Sequence, residues 1–561
     1  MAHHARHAHV GAVIALLAVA ASAACTRGPA PADEPAPAPA STAAVPLLDD
    51  LGATHHPITT RSPEAQRYFD QGLVLTFGFN HDLAIRSFRE ASRLDPGCAM
   101  CAWGEALALG PNINAPMGPE AARDAYAALQ QAQARAAGAS EAEQAYIRAL
   151  SARYAADPET ADRAALDRAY ADAMRELHRA WPDDLDAAAL FAEALMDLRP
   201  WNHWSREGEP APETPEIVAT LESVLARNPD HPLANHLYIH AIEASPQPEK
   251  AEAAADRLVE LVPGSGHLVH MPSHIYLRVG RYDDALELNR RASEVDEGVF
   301  AWCRSRTLYR AAYYPHNVHF LWTAAMVEGR SDLALATAQR LAAAVPDDLV
   351  REFPFVEEFR AIPYVTPLRF GRWDTALGQP APPADFRYVT GVYHYARGVA
   401  KLRTGDRAGA EAEHAELELV AKEEPLEALV FPGGSAAALL ELASLHLGAE
   451  RAAARGDVDA ALAALEEAVG LQDGLPYTEP PPFYLPLRQA LGAVLLDAGR
   501  AAEAEAVYRR DLEYHPKNGW SLFGLARSLE AQEKAALADA TRQGFANAWS
   551  RADVELAASR F

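Results

Sequence analysis

Basic residues are scarce: 51 Lys and Arg stand against 77 Asp and Glu, a formal charge of −26 over 561 residues. No Lys/Arg block interrupts that acidity. A nucleic-acid binder needs a basic stripe to displace counterions from phosphates, so that class is excluded. A solvated, acidic surface accounts for the charge. Cysteine is nearly absent, with four residues, which disfavours structural zinc of the Cys-rich type. β-branched blocks are few, leaving little material for sheets. No Gly-rich phosphate loop, nucleophile elbow, Ser/His/Asp order or HExxH pattern occurs. Long apolar runs are also missing, apart from Val10–Ala24.

That one run, containing VIALLAVAASAA, is too short to span a bilayer and has the shape of a secretory leader over 1–24. Its end, Ala21-Ser22-Ala23-Ala24-Cys25, resembles a relaxed lipoprotein-processing site, although the usual pattern has Leu where Ser22 stands. Acylation of Cys25 is one expectation, and ordinary cleavage after Ala23 or Ala24 is the other. Residues 25–46 are Ala/Pro-rich and cannot bury a core, so they read as a tether. The chain is therefore expected to be exported and to work in the cell envelope. A lipid anchor would be its sole membrane contact.

What remains is 49% apolar and 23% charged, ordinary globular material, and it repeats. HDLAIRSFREASRLDPGC (81–98), GRYDDALELNRRASEVDE (280–297), GRSDLALATAQRLAAAVPDD (329–348), GDVDAALAALEEAVGLQD (456–473) and GRAAEAEAVYRRDLEYHPKN (499–518) share a grammar. Each has a polar or Gly-initiated turn, a small Ala, apolar residues at helical spacing and an acidic break. Neither helix of such a pair buries its stripe alone, so hairpins stack. The pattern resembles the tetratricopeptide repeat, which implies an all-α, right-handed solenoid. FGFNHDLAIRSF, CAMCAWGEALALGPNIN, ANHLYIHAIEAS, HMPSHIYLRVGRY, PHNVHFLW and NGWSLFGLARSL are similar to a group of secreted bacterial tetratricopeptide-repeat proteins. That resemblance implies the fold and export, and supplies no reaction. Two Pro-rich stretches, 202–216 and 378–386, suggest an N-terminal array over 47–377, a linker at 378–386 and a C-terminal array over 387–561.

Histidine is where the sequence concentrates chemistry. Eight of the 21 fall between His231 and Trp322, in the phrases HPLANHLYIHAIE, GHLVHMPSHIYLRVGRY and PHNVHFLW. His236, His240 and Glu243 share one helix face at i, i+4 and i+7, a spacing that can hold an ion through two imidazoles with a carboxylate as third ligand or acceptor. Pro272 predicts a helix start, with His270 at its opening, His274 just inside and His267 on the connecting loop. Pro315 predicts another, carrying His316 and His319 at i, i+3.

If these are successive first helices, their imidazoles line one concave groove. His236, His240, His274 and His319 are then the leading ligands of a transition metal, with His267, His270, His316 and Glu243 in reserve. Imidazole sites suit zinc, copper, iron or nickel, and more than four converging histidines would make a two-metal site possible. Hydrolysis through metal-activated water or oxidation through a redox metal would follow.

The competing expectation is a metal-free groove that binds a peptide or partner protein. Asn80 as an N-cap, His81, Trp103, Asn112 and Trp322 give the same half its polar-aromatic lining. His55-His56 precedes the array and is expected to fold back onto it. Cys98 and Cys101 form a CxxC without a following His, read as a disulfide at a helix break or else a redox pair.

Overall fold

The structure is a computed structural model that describes residues 45–303 and 307–561. The leader 1–24, Cys25 and nearly all of the 25–46 tether lie outside the described residues. Helix follows helix from Pro63 to Ala548, and the sole sheet among the described residues is a two-residue hairpin, Val430–Phe431 against Gly434–Ser435. Sequence neighbours pack as antiparallel pairs: Pro63–Phe77 on His81–Leu94, Arg387–Arg403 on Arg407–Ala421, Ala436–Ala454 on Val458–Gly474. The fold is an all-α solenoid of stacked helical hairpins. No described helix is long and apolar enough to cross a membrane.

The turns explain the repeated Gly. Gly280, Gly329, Gly371, Gly405, Gly456 and Gly499 all have left-handed φ, between 64° and 92°, where a Cβ would collide with the following backbone. Each ends one helix and lets the next begin two residues on. In the first hairpin the left-handed position is taken by Phe79, φ 56°, and in the last by Glu533, φ 59°.

The C-terminal helices curl back onto the middle of the chain. Trp520 Nε1 donates to Met326 O at 3.1 Å, Tyr282 Oη donates to Pro516 O at 2.9 Å, and Ser331 N donates to Asp553 at 2.7 Å. On the other side the segment after Val45 runs back across the array, with Gly264 N donating to Asp50 O at 2.8 Å. His56 does fold back: its Nδ1 meets Asp186 at 2.7 Å, and His231 Nε2 meets the other oxygen at 3.1 Å. This closure turns the expected open groove into an interior. Two apolar clusters fill the molecule, one over 45–320 and one over 286–561. They meet on the Tyr282–Trp302 and Tyr314–Val327 helices, well before the Pro-rich stretch at 378–386.

Candidate metal centre

Three helices supply the imidazoles. Pro232–Glu243 carries His236, His240 and Glu243 on one face, with Pro232 in its first turn and His231 as N-cap, accepting Ala234 N–H at 3.3 Å. The second helical run differs from the sequence expectation. Gly266–His270 and Pro272–Val279 are joined by Met271 at φ −50°, ψ −39°, a helical residue. Pro272 opens its helix as expected, and helical Met271 joins it almost continuously to the short helix before it. His267 is therefore on the helix and not on a loop, and His267, His270 and His274 share one face at i, i+3 and i+7. The third helix, Tyr314–Val327, brings His316 with Phe320 one turn on.

Six imidazoles converge in two trios. In each, one nitrogen from every ring lies within 4.8 Å of the others: His236, His240 and His267 in the first, His270, His274 and His316 in the second. The trios adjoin, with ring centroids 5.8 Å apart between His240 and His274 and between His267 and His270. Glu243, His274 and Glu479 form a third group at the same spacing. His236 and His270 are 0% exposed, and only His316 is partly open.

The outer nitrogens decide what the inner ones can do. His236 Nδ1 donates to Phe77 O at 2.7 Å, so its neutral ring presents a lone pair at Nε2. His270 Nδ1 donates to Asn289 Oδ1 at 2.6 Å; the Asn289 amide is itself oriented by Ala285 O at 2.7 Å and Ser273 Oγ at 2.8 Å. Glu243 takes His240 Nδ1 at 2.8 Å with one oxygen and His274 Nδ1 at 2.5 Å with the other. The inner nitrogens then face one another: His236 Nε2 to His267 Nε2 is 3.2 Å, and His270 Nε2 to His274 Nε2 is 3.0 Å. His240 Nε2 is buried with no hydrogen-bond partner. Two nitrogens bound to one ion at about 2.0–2.1 Å stand about 2.9–3.4 Å apart. Both approaches fall in that interval.

Electrostatics in the centre is a contest between burial and one carboxylate. Burial, reinforced by neighbouring imidazoles, holds His236, His267, His270 and His316 well below the usual histidine value. They are neutral and offer lone pairs. His274 is the exception: burial pushes it down, but the charge and hydrogen bond of Glu243, aided by Glu479, raise it to about 9. Glu243 answers in kind, pulled to about 2 against its burial by His274 and His240. The metal-free centre thus holds one proton on His274, which donates to His270. Glu479 is pushed up by burial.

Several residues of the centre carry no sequence signal of the repeat kind. Phe79 lies 4.7 Å from the His236 ring and 5.4 Å from His267. Trp201 lies 5.3 Å from His240. Both have left-handed φ, two of the four such non-Gly residues described, so backbone strain is concentrated on the rings that wall the histidines. Phe320 closes the second trio at 4.6 Å from His270 and from His274. Glu479 arrives from the Pro-rich segment 475–486, where Tyr477 also lies over Arg278. Behind His267, its backbone N–H donates to Tyr309 Oη at 3.1 Å, and Tyr309 donates to buried Asp296 at 2.9 Å. Asn317 reaches the other Asp296 oxygen at 2.8 Å, linking two of the three helices. Gly266 permits that approach, since a Cβ there would stand 2.1 Å from Asp296 Oδ1.

The remaining sequence candidates are dispersed. His319 lies outside both trios; it points away from His316 and stacks on Trp322 at 5.4 Å and against Phe359 at 5.5 Å. Trp322 Nε1 donates to Thr366 Oγ1 at 2.9 Å. Asn80 occupies the N-cap of His81–Leu94, yet its side chain makes no capping bond. His81 meets Asn112 at 3.3 Å and, under burial, falls to about 4. It sits 6.2 Å from Phe79, one ring beyond the first trio. Trp103 is interior, packed on Tyr146. Cys98 and Cys101 are joined by a disulfide at the start of Ala99–Ala108.

No family model matches the chain, and no curated protein matches it. It is similar to a chain of the APC/C hetero-tetramer Cut9-Hcn1, at 13% identity and TM-score 0.31, over 84% of this chain and 78% of that one. It is also similar to the human IFIT1 dimer with m7Gppp-AAAA, at 12% identity and TM-score 0.33, over 88% of this chain and 91% of that one. The human IFIT1 dimer with PPP-AAAA gives 12% and 0.33 over 87% and 91%. Scores this low carry no inference about the centre.

Proposed function

We propose that this chain is a metalloprotein holding two transition-metal ions side by side, one in each histidine trio. The observation that carries the reading is the convergence of six imidazoles in two trios, with Nε2–Nε2 approaches of 3.2 and 3.0 Å and the outer nitrogens of His236, His240, His270 and His274 already committed. Each approach needs a proton or a cation between its two nitrogens, and without an ion the first is met by the N–H of neutral His267, whose Nδ1 has no partner. The proton on His274 serves the second pair, and an ion would serve all six rings. Glu243 fits the part of an outer carboxylate, which fixes ring orientation and raises ligand basicity.

The donor set favours copper or zinc. Six imidazoles supply the inner atoms, whereas Glu243 is occupied with the outer nitrogens of His240 and His274. With copper, two adjacent ions support two-electron oxidation; with zinc, they activate a water for hydrolysis. The metal selects the reaction. His316, partly open, marks the side from which a small reactant reaches the second trio. An open peptide groove would need these side chains exposed, and the closure of the solenoid buries them.

Export, and acylation at Cys25, belong to the same proposal and rest on residues 1–25. Titration of metal-stripped protein with Cu(II) and Zn(II) tests the centre. Two equivalents are expected, falling to one in His267→Ala and one in His316→Ala, with helical circular dichroism unchanged. A single equivalent in wild type, or equal occupancy in all three proteins, refutes the two-ion reading.

A further inference from the structure

The Tyr282–Trp302 helix supplies none of the six imidazoles, yet it packs against both helical runs that carry the second trio. On one of its faces Asn289 and Asp296 stand at i and i+7. Asn289 takes the outer nitrogen of His270. Asp296, two turns on, bonds no imidazole. One of its oxygens accepts the Tyr309 phenol at 2.9 Å, and the other accepts the Asn317 amide at 2.8 Å. Each partner leads to one histidine of the centre. Tyr309 Oη also accepts the backbone N–H of His267 at 3.1 Å. The Tyr309 ring stacks on Tyr313 at 5.2 Å, and Tyr313 packs edge-on against the His267 ring at 4.9 Å. Asn317 directly follows His316 on the Tyr314–Val327 helix. The chain enters that helix through a π-helical turn, Tyr309–Tyr313, a rare conformation that concentrates at functional sites.

Stability alone does not account for this carboxyl. Asp296 is 1% exposed, and its partners among the described residues are a phenol and an amide, not a cation. Burying an acid among neutral groups is costly, and apolar side chains of similar volume commonly hold such a place at least as well. The backbone also yields to it, since Gly266 leaves the room that any Cβ would fill. What the carboxyl does provide is a fixed distance between two helices, set by two directional bonds from one rigid group.

We propose that Asp296 is a positioning residue for both trios: through Tyr309 it sets His267, and through Asn317 it sets His316. It acts by hydrogen-bond geometry rather than by charge. The use of that positioning rests on the two-ion reading, while the positioning itself is present in metal-free protein.

Two readouts on the whole protein test it: NMR of isotope-labelled imidazole nitrogens without metal, and copper or zinc affinity by chelator competition. In Asp296→Leu the His267 and His316 signals are expected to shift or broaden while that of His446 stays. Each ion then binds about tenfold or more weakly. Asp296→Asn restores both readouts: its oxygen keeps the Tyr309 phenol, and its amide meets Asn317 Oδ1, now buried without a partner, once the Asn317 amide turns over. Asn317→Leu moves the His316 signal and not that of His267, which keeps the test decisive should Asp296→Leu fail to fold. A merely structural role would lower unfolding stability and leave signals and affinities in place. Unmoved His267 and His316 signals in folded Asp296→Leu, an unmoved His316 signal in Asn317→Leu, or an Asp296→Asn protein that behaves like Asp296→Leu overturns the proposal. A wild type that binds no ion, while the variants still move these signals, condemns the metal reading and leaves the positioning standing.

Discussion

The two halves of the solenoid treat buried histidine in opposite ways. In the C-terminal half three have conventional partners: His446 with Tyr395, His414 with Ser444 and Arg451, His394 with Glu413. Those imidazoles satisfy a hydroxyl, a guanidinium or a carboxylate, and they sit apart from one another. In the N-terminal half six rings crowd together, four with their outer nitrogens tied off and four paired through their inner nitrogens. Packing explains the first arrangement. The second buries His240 Nε2 and His267 Nδ1 without hydrogen-bond partners and places left-handed Phe79 and Trp201 against the cluster, a cost that stability alone does not reward.

Glu243 gives the largest effect with which to sharpen that contrast. Glu243→Gln should weaken copper or zinc binding about 10–100-fold, as read by competition with a chelator, while Glu413→Gln, which releases His394 in the other half, leaves it unchanged. The left-handed residues come next. Phe79→Gly relieves a strained backbone but empties the wall of the first trio, a net loss of about 2–3 kcal/mol by denaturant unfolding. Glu533→Gly, at nearly the same φ on an exposed turn, should gain up to about 1 kcal/mol. Opposite signs at equivalent turns would show that Phe79 is kept for its ring.

A further effect concerns the strap over the N-terminal half. Asp186 is held far below the ordinary value of 3.8: burial raises it, but hydrogen bonds from His231 and His56 outweigh that. Its contribution is present above 3.8 and is lost as pH falls through the depressed value. His56, which burial lowers and Asp186 raises more strongly, ends above 6.5; its share is complete below 6.5 and is lost as pH rises through the raised value. The strap is therefore strongest between those two ordinary values. Asp186→Asn should cost about 1–2 kcal/mol at pH 6 and less at pH 8, measured by thermal unfolding.

The hairpins were legible because their signals are local: a left-handed Gly, a small Ala and a helical apolar stripe recur in each. His236, His240 and Glu243 were legible for the same reason, since one helix face joins them. His267 was misplaced because Pro272 opens a helix, as it ordinarily does, and nothing local signals the short helix Gly266–His270 that runs into it through Met271. Periodicity does not discriminate between His316 and His319; a difference of about 60° in helix facing sends one to the trio and the other to Trp322. Glu479 and Phe79 reach the histidines from remote parts of the chain, and no repeat period encodes that. The only local hint of Glu479 is that 475–486, with TEPPPFY inside it, is an irregular stretch between two clear repeats. The open groove expected from hairpin stacking became an interior through the curl that brings Trp520 to Met326, a property of many small rotations summed along the chain.

Elemental analysis of protein lacking the N-terminal histidines, loaded with metal and dialysed, tests the central claim most directly. Wild type and His446→Ala should each retain two equivalents of one transition metal, and a folded His236→Ala/His274→Ala variant should retain none. No metal in wild type after reconstitution, or the same content in all three proteins, would contradict the account.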